Sequence, residues 1–201
     1  MTTPGEVISQ RRLNYGEGRE ALLAAAVRVV ARGGLRNLTY RAVAREAGVT
    51  HGLVVHHFGS RDALIAEALA HTIQTSLANS AVEPGSGDVA DFSAGLSAMV
   101  QADPDIQAFQ YELLLEARRK PELLDQVRGL YEQYFGAAER ELARMLPDGA
   151  GRPLARLVFA ALDGLVLHQL TLGEQDVTDA ALGELRSLLR LLGAAAATDE
   201  S

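Results

Sequence analysis

Apolar residues return at intervals of three and four through most of the chain, the spacing that lines one face of an α-helix. Over 17–32 the stripe is Leu23, Val27 and Val30, with Leu22, Ala26 and Val29 beside it, and Gly33-Gly34 closes the helix. Leu35 and Leu38 then flank the polar pair Arg36-Asn37 and are placed to plug a small core. At 39–58 two short helices are predicted in immediate succession. The first opens on Thr39, whose hydroxyl can cap the free amides of the first turn, and buries Ala42, Val43 and Ala47. Gly48 ends it, because a glycine takes the left-handed conformation at little steric cost. The second is capped by Thr50, turns Leu53, Val54 and Phe58 inward, and leaves Thr50, His51, Gly52, Val55 and His56 nearer the outside. Two helices joined by so tight a turn make a helix-turn-helix, whose second helix can enter the major groove of DNA.

The pattern continues as a series of longer helices. Ser60 caps one that runs to about Ser80, with Leu64, Ala68 and His71 on one face and Asp62 placed favourably in its first turn. It starts beside the helix-turn-helix and ends beyond it, so it is the natural lever between two parts of the molecule. Pro84, Gly85, Ser86 and Gly87 form the strongest linker signal in the chain. Further helices are expected over 88–101 (Phe92, Leu96, Met99) and from Asp103-Pro104, an acid at the cap followed by proline at the first helical position (Ile106, Phe109, Leu113, Ala117). Arg118-Arg119-Lys120 closes the latter with the charge sign that suits a helix C-terminus, which explains that basic run better than a nucleic-acid patch does. A helix over 121–146, a loop at 147–151, a helix over 153–172 and one capped by Thr178 and ending before Gly193 complete the series.

The last two helices are apolar on more than one face and must be buried on more than one face. A second copy of the chain would cover them, two helices from each subunit forming a four-helix interface. The fold class is therefore all-α: a three-helix head at 16–76 behind an arm at 1–15, and a larger helical-bundle body at 77–201, about nine helices in all.

Charge sharpens this division. The net charge of −7 argues at first against a nucleic-acid partner. Residues 1–70, however, hold nine arginines against six acids, a surplus of +3, which leaves ten basic and twenty acidic residues, or −10, for the rest. A basic head on an acidic body binds phosphate locally while the body is repelled, which favours one docking orientation. The arm carries Arg11 and Arg12, which either reach a minor groove or phosphate or belong to a disordered tail. There is no cysteine, so disulfides, thiolate metal sites and cysteine nucleophiles are excluded. The N-terminus has no basic start followed by an apolar core, and nowhere do 18 apolar residues run together, so a soluble cytoplasmic protein without a membrane partner is expected.

Catalytic chemistry finds no footing. Glycines sit at helix ends or in the linker, not in a phosphate-binding loop. A di-iron bundle needs Glu-x-x-His pairs, and the nearest approach, Glu67 and His71, is spaced by four. His56 and His57 are adjacent and cannot both face one metal. No catalytic residue, cofactor or metal site is assigned.

Ala-Arg-Glu-Ala-Gly-Val-Thr-His-Gly at 44–52, followed by His-His-Phe-Gly-Ser-Arg-Asp-Ala-Leu at 56–64, resembles the DNA-binding region of the tetracycline-repressor (TetR) family of bacterial transcriptional regulators. The likeness covers roughly 16–76. It departs at Val55, where the family usually has a tyrosine, so binding leans more on Tyr40, His51, His56 and the arginines, Arg61 among them. On this reading Thr39, Tyr40 and Arg41 contact the DNA backbone. Thr50, His51, Gly52 and Leu53 face base edges, Leu53 or Val55 meets a thymine methyl, and His56 lies near a phosphate. The resemblance also implies a homodimer formed through the last two helices, a palindromic double-stranded operator, and a small-molecule effector held among the middle helices that shifts the long fourth helix. Polar residues placed to line such a cavity are Gln107, Gln110, Tyr111, Tyr134, His168 and Gln169, with His168 open to the alternative of a core histidine. Stripes rich in Phe, Leu and Met with few charges suggest an uncharged or amphipathic aromatic or lipid-like effector. The rival reading is a helical small-molecule-binding or scaffold protein that no longer uses its head on DNA.

Overall fold

The computed structural model describes residues 15–78, 87–146 and 151–199. Among these are nine α-helices and three short 3-10 turns: α1 Tyr15–Gly33, α2 Tyr40–Ala47, α3 His51–Phe58, α4 Arg61–Ala78, α5 Leu96–Ala102, α6 Pro104–Ala117, α7 Leu124–Met145, α8 Arg152–Leu172 and α9 Gln175–Asp199. The expected arm, the linker at 84–86 and the loop at 147–150 lie outside the described residues.

Local chemistry explains most of the boundaries. Thr39 Oγ1 accepts from the Ala42 amide at 3.1 Å and starts α2, and Ser60 Oγ does the same for Ala63 at 3.1 Å at the start of α4. Gly48 sits at φ 68°, ψ 31° and passes its own amide back to the Ala44 and Arg45 carbonyls, so the turn between α2 and α3 closes without strain.

Several expectations need correction. Thr50 and Asp103 occupy cap positions, but neither side chain makes a capping bond. The helix expected over 88–101 is broken: Asp88 caps a 3-10 turn through the Ala90 amide at 2.8 Å, and the chain passes through positive φ at Ser93 and Gly95 before α5 begins. The segment expected to open as helix at Pro121 is first a 3-10 turn at Pro121–Leu123. Thr178 does not cap α9. It lies in the first turn with its hydroxyl on the Glu174 carbonyl at 3.3 Å, and the helix runs through Gly183 and Gly193 instead of stopping. Helix propensity costs about 1 kcal/mol per glycine, which neighbouring alanines and leucines offset.

Two cores hold the helices together. The larger draws Leu22 and Val30 from α1, Leu35, Leu38, Val43, Val54 and Phe58 from the helix-turn-helix and its approach, Leu64 and Ile65 from α4, and Phe109, Leu113, Val127 and Leu130 from α6 and α7. The smaller joins Phe92, Leu96, Leu142, Val158, Leu162, Leu182 and Leu189, from α5, α7, α8, α9 and the segment before α5. Thus α4 is not the only link between head and body. The α1 helix packs along α6, and Arg32 Nη2 donates to Asp105 Oδ2 at 3.3 Å across that seam.

The α8 helix has the length and hydropathy of a bilayer span, yet it carries Asp163 at mid-length and buries Ala155, Val158, Leu162 and Val166 against the other helices of the smaller core. One face of α8 thus packs into the bundle, while Leu157, Leu167 and Leu172 on it stay exposed.

Candidate nucleic-acid interface and effector site

In the head, Val54 and Phe58 anchor α3 from below, fully or nearly fully buried. This fixes which residues face outward: Thr50, His51, Gly52, Leu53, Val55 and His56 are all exposed. Leu53, expected to pack inward, is 36% exposed, as Val55 is at 37%. At Gly52 no atom lies within 4 Å of where a side chain would project, so the backbone of α3 is open to close approach. Tyr40 braces the start of α3 through an edge contact with His51, ring centroids 5.9 Å apart.

Basic residues lie on α1, on α2 and on the turn before α2. Arg36, Arg41 and Arg45 are exposed and make no ion pair among the described residues. Arg28 and Arg32 are committed instead, to Glu46 at 2.6 and 3.6 Å, and Arg28 together with burial accounts for most of the balance at that carboxyl, which is held below its ordinary value. Arg61 is also committed. Its Nε donates to the Leu38 carbonyl at 3.0 Å and Nη2 to the Leu35 carbonyl at 2.7 Å, so it fastens the approach to α2 onto α4. Behind the face His57 is half-buried between the His56 and Phe58 rings, and desolvation lowers its pKa.

In the body, five of the six polar residues expected in a cavity point inward. Gln107 is buried and lines a 440 Å³ cavity between α4, α5 and α6, together with Thr75, Ser76, Met99 and Ile106. Gln110 Nε2 donates to Ser76 Oγ at 3.2 Å and its Oε1 accepts from the Tyr134 hydroxyl at 3.1 Å, a chain that joins α4, α6 and α7. Gln169 donates to the Ser97 carbonyl at 2.7 Å and leaves its own Oε1 buried without a partner. Tyr111 donates to both the carbonyl and Oδ1 of Asp163, each at 2.9 Å. The exception is His168. It lies exposed on the outer face of α8, neither in a cavity nor in the core.

The residue that the sequence reading did not single out is Asp163 itself. Its carboxyl sits between α6 and α7, accepting from Tyr111 and, at 3.5 Å, from Tyr131. Burial raises its pKa, and the two tyrosine hydroxyls work in the opposite direction. Around it Phe159 stacks on Tyr134 at 5.2 Å and meets Tyr131 edge-on at 5.8 Å. Burial likewise pushes the Tyr111, Tyr131 and Tyr134 hydroxyls up, so all three stay neutral donors. The available signal was the i, i+4 pair Phe159 and Asp163, an acid one turn from an aromatic ring on an otherwise apolar helix.

A helix-turn-helix with an exposed second helix and arginines exposed on its first, carried on a helical body with polar groups turned into its interior, defines a ligand-responsive DNA-binding regulator. The chain belongs to the TetR family: residues 22–68 match the model of the bacterial tetR-family regulatory proteins and residues 85–191 that of a tetracyclin repressor-like C-terminal domain. It is 32% identical over 161 residues to the HTH-type transcriptional regulator BetI of Agrobacterium fabrum, covering 75% of each chain. It is 28% identical over 171 residues to the HTH-type nicotine-responsive transcriptional repressor HdnoR of Paenarthrobacter nicotinovorans, covering 78% of this chain and 86% of that one. Among solved structures it is similar to a TetR-family member from Streptomyces coelicolor, with 26% identity, a TM-score of 0.66, and coverage of 86% of this chain and 98% of the other. Members of the family bind operator DNA as dimers and respond to small molecules; the family is one of transcriptional regulators.

Proposed function

We propose that this protein is a cytoplasmic repressor that sits on a palindromic operator and leaves it when a small organic effector occupies the body. The outer face of α3 carries the DNA half of this reading, with Val54 and Phe58 as its anchor and with Arg36, Arg41 and Arg45 exposed on α2 and the turn before it, without an ion pair among the described residues. Thr39, Tyr40 and Arg41 position the head on the backbone, and His56 lies toward phosphate. Thr50, His51, Gly52, Leu53 and Val55 read the groove, where His51 can donate to guanine or accept from a base amine and the two apolar side chains meet thymine methyls. Repression, as distinct from activation, draws on the relative that is named a repressor. Gln107, Gln110, Tyr111, Tyr134 and Gln169 form the effector half, and His168 is left out of it because it faces outward.

Selection of duplexes from a random pool at near-physiological salt tests this. A palindrome should emerge whose half-sites are centred roughly 34 Å apart. His51→Ala should then lose about 1–3 kcal/mol of discrimination at one base position per half-site. Equal weakening on selected and random duplex would remove His51 from base reading, and no enrichment by a folded dimer would favour the scaffold alternative.

A further inference from the structure

We propose that the effector is an organic cation and that Asp163 is its counter-ion, set in a cluster of aromatic rings between α6, α7 and α8. This rests on the body being the sensor and names the chemistry that the sensor recognises.

Asp163 is a carboxylate half withdrawn from water with no cation of its own. Among the described residues it makes no ion pair, and the basic groups on the same helix are occupied elsewhere. Arg152 and Arg156 both pair with Glu132, and the Arg156 guanidinium also lies 4.9 Å from the centre of the Phe135 ring. Withdrawing a carboxylate without a partner is costly, and two tyrosine hydroxyls offset only part of that cost. A positive charge brought in by a ligand would supply what the protein does not.

The rings fit the same class of ligand. Tyr111 from α6 and Tyr131 from α7 bond the carboxylate, Tyr134 and Phe159 pack beside Tyr131, and each of the four rings is half-buried, unlike the fully buried Phe92 and Phe109 of the two cores. Tyr134 and Phe159 cover one face of each other, and the ring surface that stays open can attract a cation within about 6 Å of a ring centre, more strongly when water is excluded. An anion would meet the carboxylate's repulsion. A neutral polar ligand would have to compete with tyrosine hydroxyls already bonded to Asp163. An amine or quaternary ammonium with an apolar body gains from both the charge and the rings.

The probe set is benzyltrimethylammonium, benzylamine, neutral benzyl alcohol and anionic benzoate, titrated calorimetrically against the full-length dimer. The cations should bind at least tenfold tighter than the alcohol, and benzoate should bind weakest. Asp163→Asn, nearly the same shape, should cost the cations tenfold or more and leave benzyl alcohol unchanged. Tyr131→Leu should weaken the cations about fivefold, and Tyr131→Phe, which keeps the ring, should not. Circular dichroism on each variant separates lost binding from lost fold. Benzyltrimethylammonium has no titrating group, so its affinity should fall as pH drops through the raised Asp163 pKa. The groups facing Asp163 are Tyr111 from α6 and Tyr131 and Tyr134 from α7, all neutral there; Glu132, with its two arginines, lies at the rim.

No binding by either cation, or equal binding by benzoate, or full affinity in Asp163→Asn would overturn the proposal. Cation binding that depends on Asp163 but leaves operator affinity untouched would uphold the site and refute the sensor reading instead.

Discussion

Arg61 shows how far a residue's role depends on what its side chain meets. In the sequence it follows Gly-Ser at the start of α4, close to the helix-turn-helix, and an arginine there invites a phosphate contact. In the fold its guanidinium is directed at two carbonyls that precede α2, Leu38 and Leu35, the second of which also takes the Leu38 amide within the 3-10 turn. A charged donor on a partly buried carbonyl is worth about 1.5–3 kcal/mol. Arg61→Ala should therefore lower the unfolding free energy in urea by about that amount. Its affinity for DNA, corrected for the folded fraction, should change little. A loss of DNA affinity with unchanged stability would return Arg61 to the phosphate-contacting set. Arg41 supplies the contrast, because it is exposed at the start of α2 and makes no ion pair among the described residues.

At the scale of elements, what the sequence made legible is what periodicity and end signals encode. The α2–α3 pair was readable because Thr39, Gly48 and the buried Val43, Val54 and Phe58 all agree on one geometry, and local and tertiary preferences coincide there. The segment before α5 was misread because Phe92, Leu96 and Met99 keep helical spacing through a stretch whose backbone turns at Ser93 and Gly95. Burial of Phe92, and the Arg186 Nε bond to its carbonyl at 2.9 Å, hold that irregular path from outside the segment. Asp163 was passed over because one acid on an apolar helix carries no periodic signal, and its meaning depends on rings from α6 and α7. The outer faces of α8 and α9 were read correctly as too apolar for one chain to cover. Leu157, Leu172, Val177, Leu188 and Leu191 are each more than half exposed. In a dimer built through the last two helices, this is the surface a partner would cover. Leu188→Arg places a charge in that face and should give a monomer by sedimentation velocity. Two linked heads gain about a hundredfold or more in avidity, so affinity for the full palindrome should fall by that order while half-site affinity holds. A Leu188→Arg protein that remains dimeric would move the interface elsewhere.

For the whole molecule, an effector can act on DNA only if the two states of the head differ in how they are held by the body. The larger core already runs through both parts, so a displacement in α6 or α7 cannot be confined to the body. One polar chain crosses the same space. Tyr134 stacks on Phe159 at the aromatic cluster, donates to Gln110 at 3.1 Å, and Gln110 donates to Ser76 at 3.2 Å on α4, the helix that begins directly after α3. A ligand that turns the Tyr134 ring must break or move that bond, and Gln110 is buried, so losing the bond leaves a buried polar group short of a partner. Tyr134→Phe keeps the ring and removes the hydroxyl. Effector affinity should stay within about threefold, while the effector's power to release DNA, typically 5–150-fold for couplings of about 1–3 kcal/mol, should shrink severalfold. Ser76→Ala should reproduce the defect, and the double variant should be no worse than either single one, because both cut the same chain. Undiminished release in Tyr134→Phe would leave the apolar packing of α1 and α4 on α6 as the route by which the body moves the head.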